Sequence, residues 1–151
     1  MITGRIETLS ECLEEIKLLL PSHWEELAMW KDRMPLAPQY DNYWQRETLQ
    51  QLRVSVLRDE GKVIGYWVTF IAPGLHYGET LTATTDILWV HPDYRGNARG
   101  KILYDVMRDE LVKCGVQLWI AGSKNHKQIE WFLAMLGFEA FEMYFSQWIG
   151  K

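Results

Sequence analysis

The apolar residues of the first forty positions recur at helical spacing, whereas those of the middle third alternate, so helices are expected first and strands after them. Thr8 and Glu11 have capping-box spacing, and Leu9, Leu13, Ile16, Leu19 and Leu20 then share one helical face up to Pro21. Ser22 and Glu25 repeat that spacing, which predicts a second helix with Trp24, Leu27, Ala28 and Trp30 on its apolar face, closed by Met34-Pro35-Leu36-Ala37-Pro38. Residues 43–52 suit a third short helix. From Arg53 the period becomes two: Val54 and Val56 alternate with Ser55, Asp59-Glu60-Gly61 turns, and residues 63–71 return as the second strand of an antiparallel hairpin. Pro73-Gly74 and His76-Tyr77-Gly78 punctuate the approach to a further strand over 80–89. Helical spacing resumes with Ile102, Leu103, Val106, Met107, Leu111 and Val112, and Gly115 supplies a stop. Residues 116–121 read as a short buried strand, 126–136 as a helix ended by Gly137, and 138–148 as a last strand or hairpin. No repeat or linker divides the chain, so residues 1–151 are expected to form one domain.

Composition narrows the class of protein. With 48% apolar and 13% aromatic residues a packed core can form, which excludes a disordered chain. The net charge of −4 argues against general nucleic-acid binding. That excess is N-terminal: residues 1–50 carry nine acidic and five basic side chains, against eleven of each in the remainder. Cys12 and Cys114 fall within helical patterns and read as reduced thiols rather than a disulfide. The opening residues MITGRIETLSE lack an apolar stretch with a small-residue cleavage site, and no apolar run approaches the roughly 18 residues of a membrane span. A cytoplasmic protein with no membrane partner is the expectation.

The candidate chemistry starts at Val90-His91-Pro92-Asp93-Tyr94-Arg95-Gly96-Asn97-Ala98-Arg99-Gly100-Lys101, a small-residue, cation-rich turn between a strand and a helix N-terminus. Free backbone N–H groups and the positive end of a helix dipole make such a turn an anion site, and Arg95, Arg99 and Lys101 add charge where a diphosphate would lie. It is neither a Walker loop nor a Gly-x-Gly-x-x-Gly dinucleotide fingerprint. The run Arg95-Gly96-Asn97-Ala98-Arg99-Gly100 resembles motif A of the GCN5-related N-acetyltransferases, the GNAT family, with Ala98 where the family usually has its first motif glycine. Asn125 followed by a helix and Leu136-Gly137-Phe138 resembles the family's motif B. The resemblance covers residues 5–149 and implies an α/β (α+β) GNAT fold, a mixed and mostly antiparallel central sheet flanked by helices on both faces. It further implies acetyl-CoA as co-substrate, held by Leu88, Trp89, Val90, the residues from Arg95 to Lys101, and Asn125, with no metal.

Transfer of an acetyl group to an amine needs a neutral amine, a held thioester and a proton route to the departing sulfur. A lysine-like amine loses its proton at pH 7 at a cost of about 4.6 kcal/mol, so a base matters. Asp86 is the candidate, and strict alternation would set it on the face of Leu88 and Val90. Family members often carry a Tyr proton donor on the motif B helix; here that position is Leu133, and Tyr144 is the substitute, with Ser123 and His126 also close in sequence to Asn125. In the family the acceptor lies near the N-terminal helices, the turn after the third strand and the C-terminal hairpin, which selects Trp24, His76 and Tyr77 among the aromatic residues of those regions. The expected function is acetyl transfer from acetyl-CoA to an amine of a small molecule or protein, by a monomer or homodimer that does not bind nucleic acid directly. Leu133 and Ala98 motivate an alternative, a GNAT-fold binding or inhibitory module of phage type. A nucleobase-modifying enzyme of the same fold is a weaker one.

Overall fold

The computed structural model describes residues 1–150. The order of elements is β1 (Ile2–Glu7), α1 (Leu9–Leu27), α2 (Tyr40–Thr48), β2 (Leu52–Asp59), β3 (Lys62–Pro73), β4 (Leu81–Val90), α3 (Arg99–Lys113), β5 (Leu118–Ile120) and α4 (Glu130–Met135), with a 3-10 turn at Pro92–Tyr94. The five strands form one sheet in the order β1-β2-β3-β4-β5. The first four pair antiparallel, and only β4 and β5 run parallel. Helices cover both faces, as expected. Leu9, Leu13 and Ile16 of α1 pack with Val54, Tyr66, Val68 and Trp89, and Tyr40 and Tyr43 of α2 join this cluster. Leu103 of α3 and Leu133 of α4 pack with Leu57, Ile64 and Trp67 on the opposite face. A sheet buried on both sides explains why β3 is an almost unbroken apolar run.

The Thr8 capping box is present: the Thr8 N–H donates to Glu11 Oε2 at 2.8 Å. The second predicted helix is not separate, because α1 runs through Pro21 as one helix. A proline inside a helix costs about 3 kcal/mol. Here the stripe Leu13, Ile16, Leu20, His23, Leu27 keeps helical spacing across it, and burying that stripe on the sheet outweighs the lost hydrogen bond. The strand β1 had no counterpart in the sequence pattern. Its buried end is Glu7, not an apolar residue, and that carboxylate is satisfied by the Arg58 guanidinium through Nε at 2.7 Å and Nη2 at 2.8 Å.

Two further corrections lie at the C-terminal end. The helix expected from 126 begins only at Glu130, because residues 124–127 close a small turn through a Lys124–Lys127 bridge. The strand expected over 138–148 does not form. Alternation makes a strand only where a neighbouring edge accepts it, and β5 offers three residues; Phe141, Met143, Tyr144 and Phe145 stay exposed. Among the described residues no helix is long and apolar enough to cross a membrane.

Candidate active site

β4 and β5 pair only over Thr82–Thr84 and Leu118–Ile120. Beyond that point residues 85–88 and 121–124 no longer pair with each other, and a cavity of about 410 Å³ lies between them, roofed by His23, Trp24 and Leu27 of α1. A parallel pair that opens partway along its length exposes backbone groups to a ligand instead of to another strand.

Asp86 enters this cavity because β4 is bulged. Val68 pairs with Ile87 and Thr69 with Thr85, which leaves Asp86 as an extra residue without a partner on β3. Strict alternation therefore fails here. Leu88 and Val90 pack toward α3 and α4, whereas Asp86 accepts a 2.5 Å hydrogen bond from the hydroxyl of Tyr43, which packs beside α1. Solvent reaches Asp86 through the open mouth of the cavity, but the surrounding wall strips much of its hydration and raises its pKa above the usual carboxylate range; the Tyr43 hydrogen bond and the Arg46 charge oppose that rise. Burial and the neighbouring Asp86 carboxylate in turn push the Tyr43 phenol upward, so it remains a donor at neutral pH.

The anion cradle lies at the start of α3. Gly96, Asn97 and Ala98 follow one another with φ of 89°, 48° and 59°, a left-handed stretch that turns the chain into the helix. The amides of Asn97, Ala98, Gly100 and Lys101 find no backbone acceptor among the described residues, so they are free for an anion. Gly100 allows close approach of α4: a Cβ there would sit 2.8 Å from Phe132 Cζ. Ala98 is held in a left-handed conformation that costs an L-residue roughly 1–2 kcal/mol. The side chains of the cradle differ in availability. Arg95 is committed to Glu26, with Nη1 and Nη2 each 2.6 Å from its carboxylate, and donates through Nε to the Val90 carbonyl at 2.9 Å. Lys101 pairs with Asp105. Arg99 lies 5.6 Å from the Tyr94 ring centre and has no carboxylate partner among the described residues.

Glu26 also accepts from Trp89 Nε1 at 2.9 Å, so one carboxylate joins α1 and β4 to the cradle. The Arg95 guanidinium holds it below the ordinary carboxylate range, against the opposing effect of burial. His23 sits beneath, stacked on Trp89 at 5.7 Å and sharing a 2.8 Å hydrogen bond between Nδ1 and the Tyr66 hydroxyl. Burial pushes its pKa down to about 4, so it is neutral at pH 7. The sequence pattern gave no sign of the Tyr43–Asp86 and Glu26–Arg95 pairs, whose partners lie 43 and 69 residues apart.

The cavity gathers Asp86, Leu88, Trp24, Ser123, Lys124 and Leu133. Trp89 points the other way, buried against α1, and Val90 packs toward α3 while its carbonyl anchors Arg95. Asn125 is exposed at the turn tip and does not cap α4, whose cap is Ile129; Ser123 Oγ accepts the Ile129 N–H instead. His76 and Tyr77 pair edge to face in the exposed β3–β4 turn, away from the cavity wall. Tyr144 is 78% exposed in the C-terminal segment and does not line the cavity.

A parallel strand pair that opens partway, a carboxylate on the wall of the gap and a helix start with free amides at the end of the same strand make an arrangement suited to acyl transfer. A profile of the Acetyltransferase (GNAT) family matches residues 12–138, and the chain belongs to that family of N-acetyltransferases. It is 28% identical over 106 residues to the L-amino acid N-acyltransferase MnaT of Escherichia coli K12, a match that takes in 67% of this chain and 58% of that protein. The chain thus spans little more than half the length of that relative. Its fold is shared with an aminoglycoside acetyltransferase from an uncultured soil metagenomic sample, at a TM-score of 0.76 and 11% identity over 99% of each chain. It is shared also with a predicted acetyltransferase of Clostridium acetobutylicum solved with acetyl-CoA, at a TM-score of 0.71 and 10% identity, covering 97% of this chain and 96% of that one.

Proposed function

We propose that this protein moves an acetyl group from acetyl-CoA to an amine of a small molecule or protein, with both substrates bound at once. The observation that carries this reading is that one strand serves both parts of the site: β4 lines the gap beside β5 with Asp86, a carboxylate of raised pKa, and its chain then runs through residues 91–98 to the free amides at the start of α3. The amides of Asn97, Ala98, Gly100 and Lys101 and the Arg99 side chain would hold the diphosphate, and Leu88 and Ser123 would flank the acyl arm. Acetyl-CoA supplies the activated acyl group. Asp86, oriented by Tyr43, takes a proton from the incoming ammonium directly or through a water. The amine nitrogen then bonds to the acetyl carbon as the carbon–sulfur bond breaks, the sulfur leaves with the electron pair, and the second proton shed by the nitrogen passes to that thiolate. Leu133 has no proton to give it. Ser123 Oγ accepts the Ile129 N–H and keeps its own hydroxyl proton free, so it can hydrogen-bond to the departing sulfur or relay to it the proton that the nitrogen sheds.

Calorimetric titration with acetyl-CoA and with CoA tests the cradle, and mass spectrometry of acceptors incubated with isotopically labelled acetyl-CoA tests transfer. Binding together with label on an amine is the expected result. No binding at millimolar acetyl-CoA would overturn the reading. The binding-module and nucleobase-modifying alternatives gain no support from the fold or its relatives.

A further inference from the structure

Beside the proposed acetyl-transfer cavity is a second chamber of about 460 Å³, bounded by α1, the loop 28–38, α2 and the sheet and open to solvent along the loop, where Met29, Met34 and Leu36 are exposed. The two share Leu20, Trp24, Ala28, Leu36, Ile87 and Lys124 as walls, so one opens beside the other. The chamber is apolar: its only charged wall residue is Lys124, and its polar groups are the hydroxyls of Tyr40 and Tyr43 and the indole nitrogens of Trp24 and Trp30. Lys124 makes no ion pair among the described residues, and it stands where the two spaces meet. Asp86 lies on the wall of the first cavity and hydrogen-bonds to Tyr43 on the wall of the second.

From this arrangement we infer that the acceptor is a free α-amino acid with an apolar side chain, its ammonium at Asp86, its carboxylate at Lys124 and its side chain in the chamber. The inference rests on the acetyltransferase reading of the site and names the substrate class for it. Charge complementarity supports it: the first cavity is lined by one carboxylate, Asp86, and by two lysines without an ion pair among the described residues, Lys124 and Lys127. Of the two, Lys124 alone also borders the chamber, so opposite charges stand ready for the two ends of a zwitterion. The chamber supplies the third point of contact. A second cation on the acceptor would be buried without an anion there, which disfavours lysine and polycationic sugars. An apolar side chain would gain its full transfer energy, since a cavity of a few hundred Å³ removes most of a small ligand from water.

The test compares kcat/KM for L-phenylalanine, L-leucine, glycine, L-lysine and phenethylamine, alongside calorimetric binding of L-phenylalanine to the CoA-loaded protein. L-Phenylalanine and L-leucine are expected to exceed glycine by about 100-fold or more, because each buried methylene is worth roughly 10-fold or above in discrimination. Phenethylamine, which lacks the carboxylate, should fall about 10-fold below L-phenylalanine, and Lys124→Met should erase that gap by raising KM for L-phenylalanine with little change in kcat. Ala28→Leu should narrow the chamber mouth and lower kcat/KM for L-phenylalanine while acetyl-CoA affinity stays constant. Equal rates for glycine and L-phenylalanine, or an unchanged phenethylamine gap in Lys124→Met, would overturn the inference. So would acetyl-CoA binding with transfer only to aminoglycosides or peptide N-termini, an outcome that leaves the acetyltransferase reading intact. Absent acetyl-CoA binding would strike that reading itself, and absent L-phenylalanine binding to the CoA-loaded protein would strike only the chamber.

Discussion

The loop at the start of α3 and the corner around Asp86 lie along the same chain segment, at the two sides of the end of β4, but are built in opposite ways. Twelve consecutive residues, Val90 to Lys101, make the proposed cradle: a strand end, three residues with positive φ and a helix start whose first amides have no backbone acceptor among the described residues. The corner draws Asp86 from a bulge in β4, Tyr43 from α2, and Trp24 and His23 from α1, residues that lie tens of positions apart. A cradle of local origin depends on backbone conformation and tolerates changes in its side chains. A corner of distant origin depends on individual side chains and on the packing that brings them together.

The largest expected contrast comes from Asp86→Asn. Loss of the base should lower kcat by about 10²–10⁴-fold with unchanged acetyl-CoA affinity by calorimetry; a large loss of affinity instead would make Asp86 part of the cradle's support. The same variant should be more stable at neutral pH. A carboxyl whose pKa is raised in the fold loses stability as pH climbs from its ordinary value through the raised one, and Asn removes that loss.

Next in size is His23. Its folded pKa of about 4 lies below the ordinary 6.5, so the unfolded chain binds the proton more readily between those values. Stability should therefore be complete above pH 6.5 and decline as pH falls toward 4, by up to about 3 kcal/mol from this group. Thermal unfolding across that range should show a shallower decline in His23→Gln. On the cradle, Gly100→Ala forces a methyl group against Phe132 and should cost about 1–3 kcal/mol in denaturant unfolding, with weaker acetyl-CoA binding and near-normal kcat at saturation.

Tyr43→Phe sharpens the picture of the corner. Asp86 must be ionised to act, so the rate falls as pH drops through its pKa; removing the hydroxyl that lowers this pKa should move the acid limb of kcat to higher pH. The smallest effect is expected for Ala98→Gly. Relief of a left-handed alanine, set against the extra freedom of glycine in the unfolded chain, leaves a gain of about 0.5–1 kcal/mol in stability.

The hairpin of β2 and β3, the strand β4, the helix α3 and the tight turn that opens it were legible in the sequence, because each announces itself within a dozen residues through period, turn chemistry or small-residue spacing. The helix α1 was half legible: its cap and apolar stripe were visible, but Pro21 read as a boundary. Only the energy of packing on the sheet shows that the helix runs through. β1 was hidden because its buried end is an arginine-paired glutamate, and a pattern of apolar positions cannot register a charge that is satisfied from 51 residues away. The alternation over 138–148 was real and misleading, since β5 is too short to accept another strand.

The sequence by itself determined the family, the mixed sheet and the small-residue turn into α3, all of which follow from local conformational preferences. The tertiary structure decided which way Asp86 faces, that Tyr43 holds it, that Glu26 engages Arg95, and that an apolar chamber opens beside the cavity. Those features depend on where distant segments meet, and a single extra residue in β4 was enough to turn the key carboxylate to the other face.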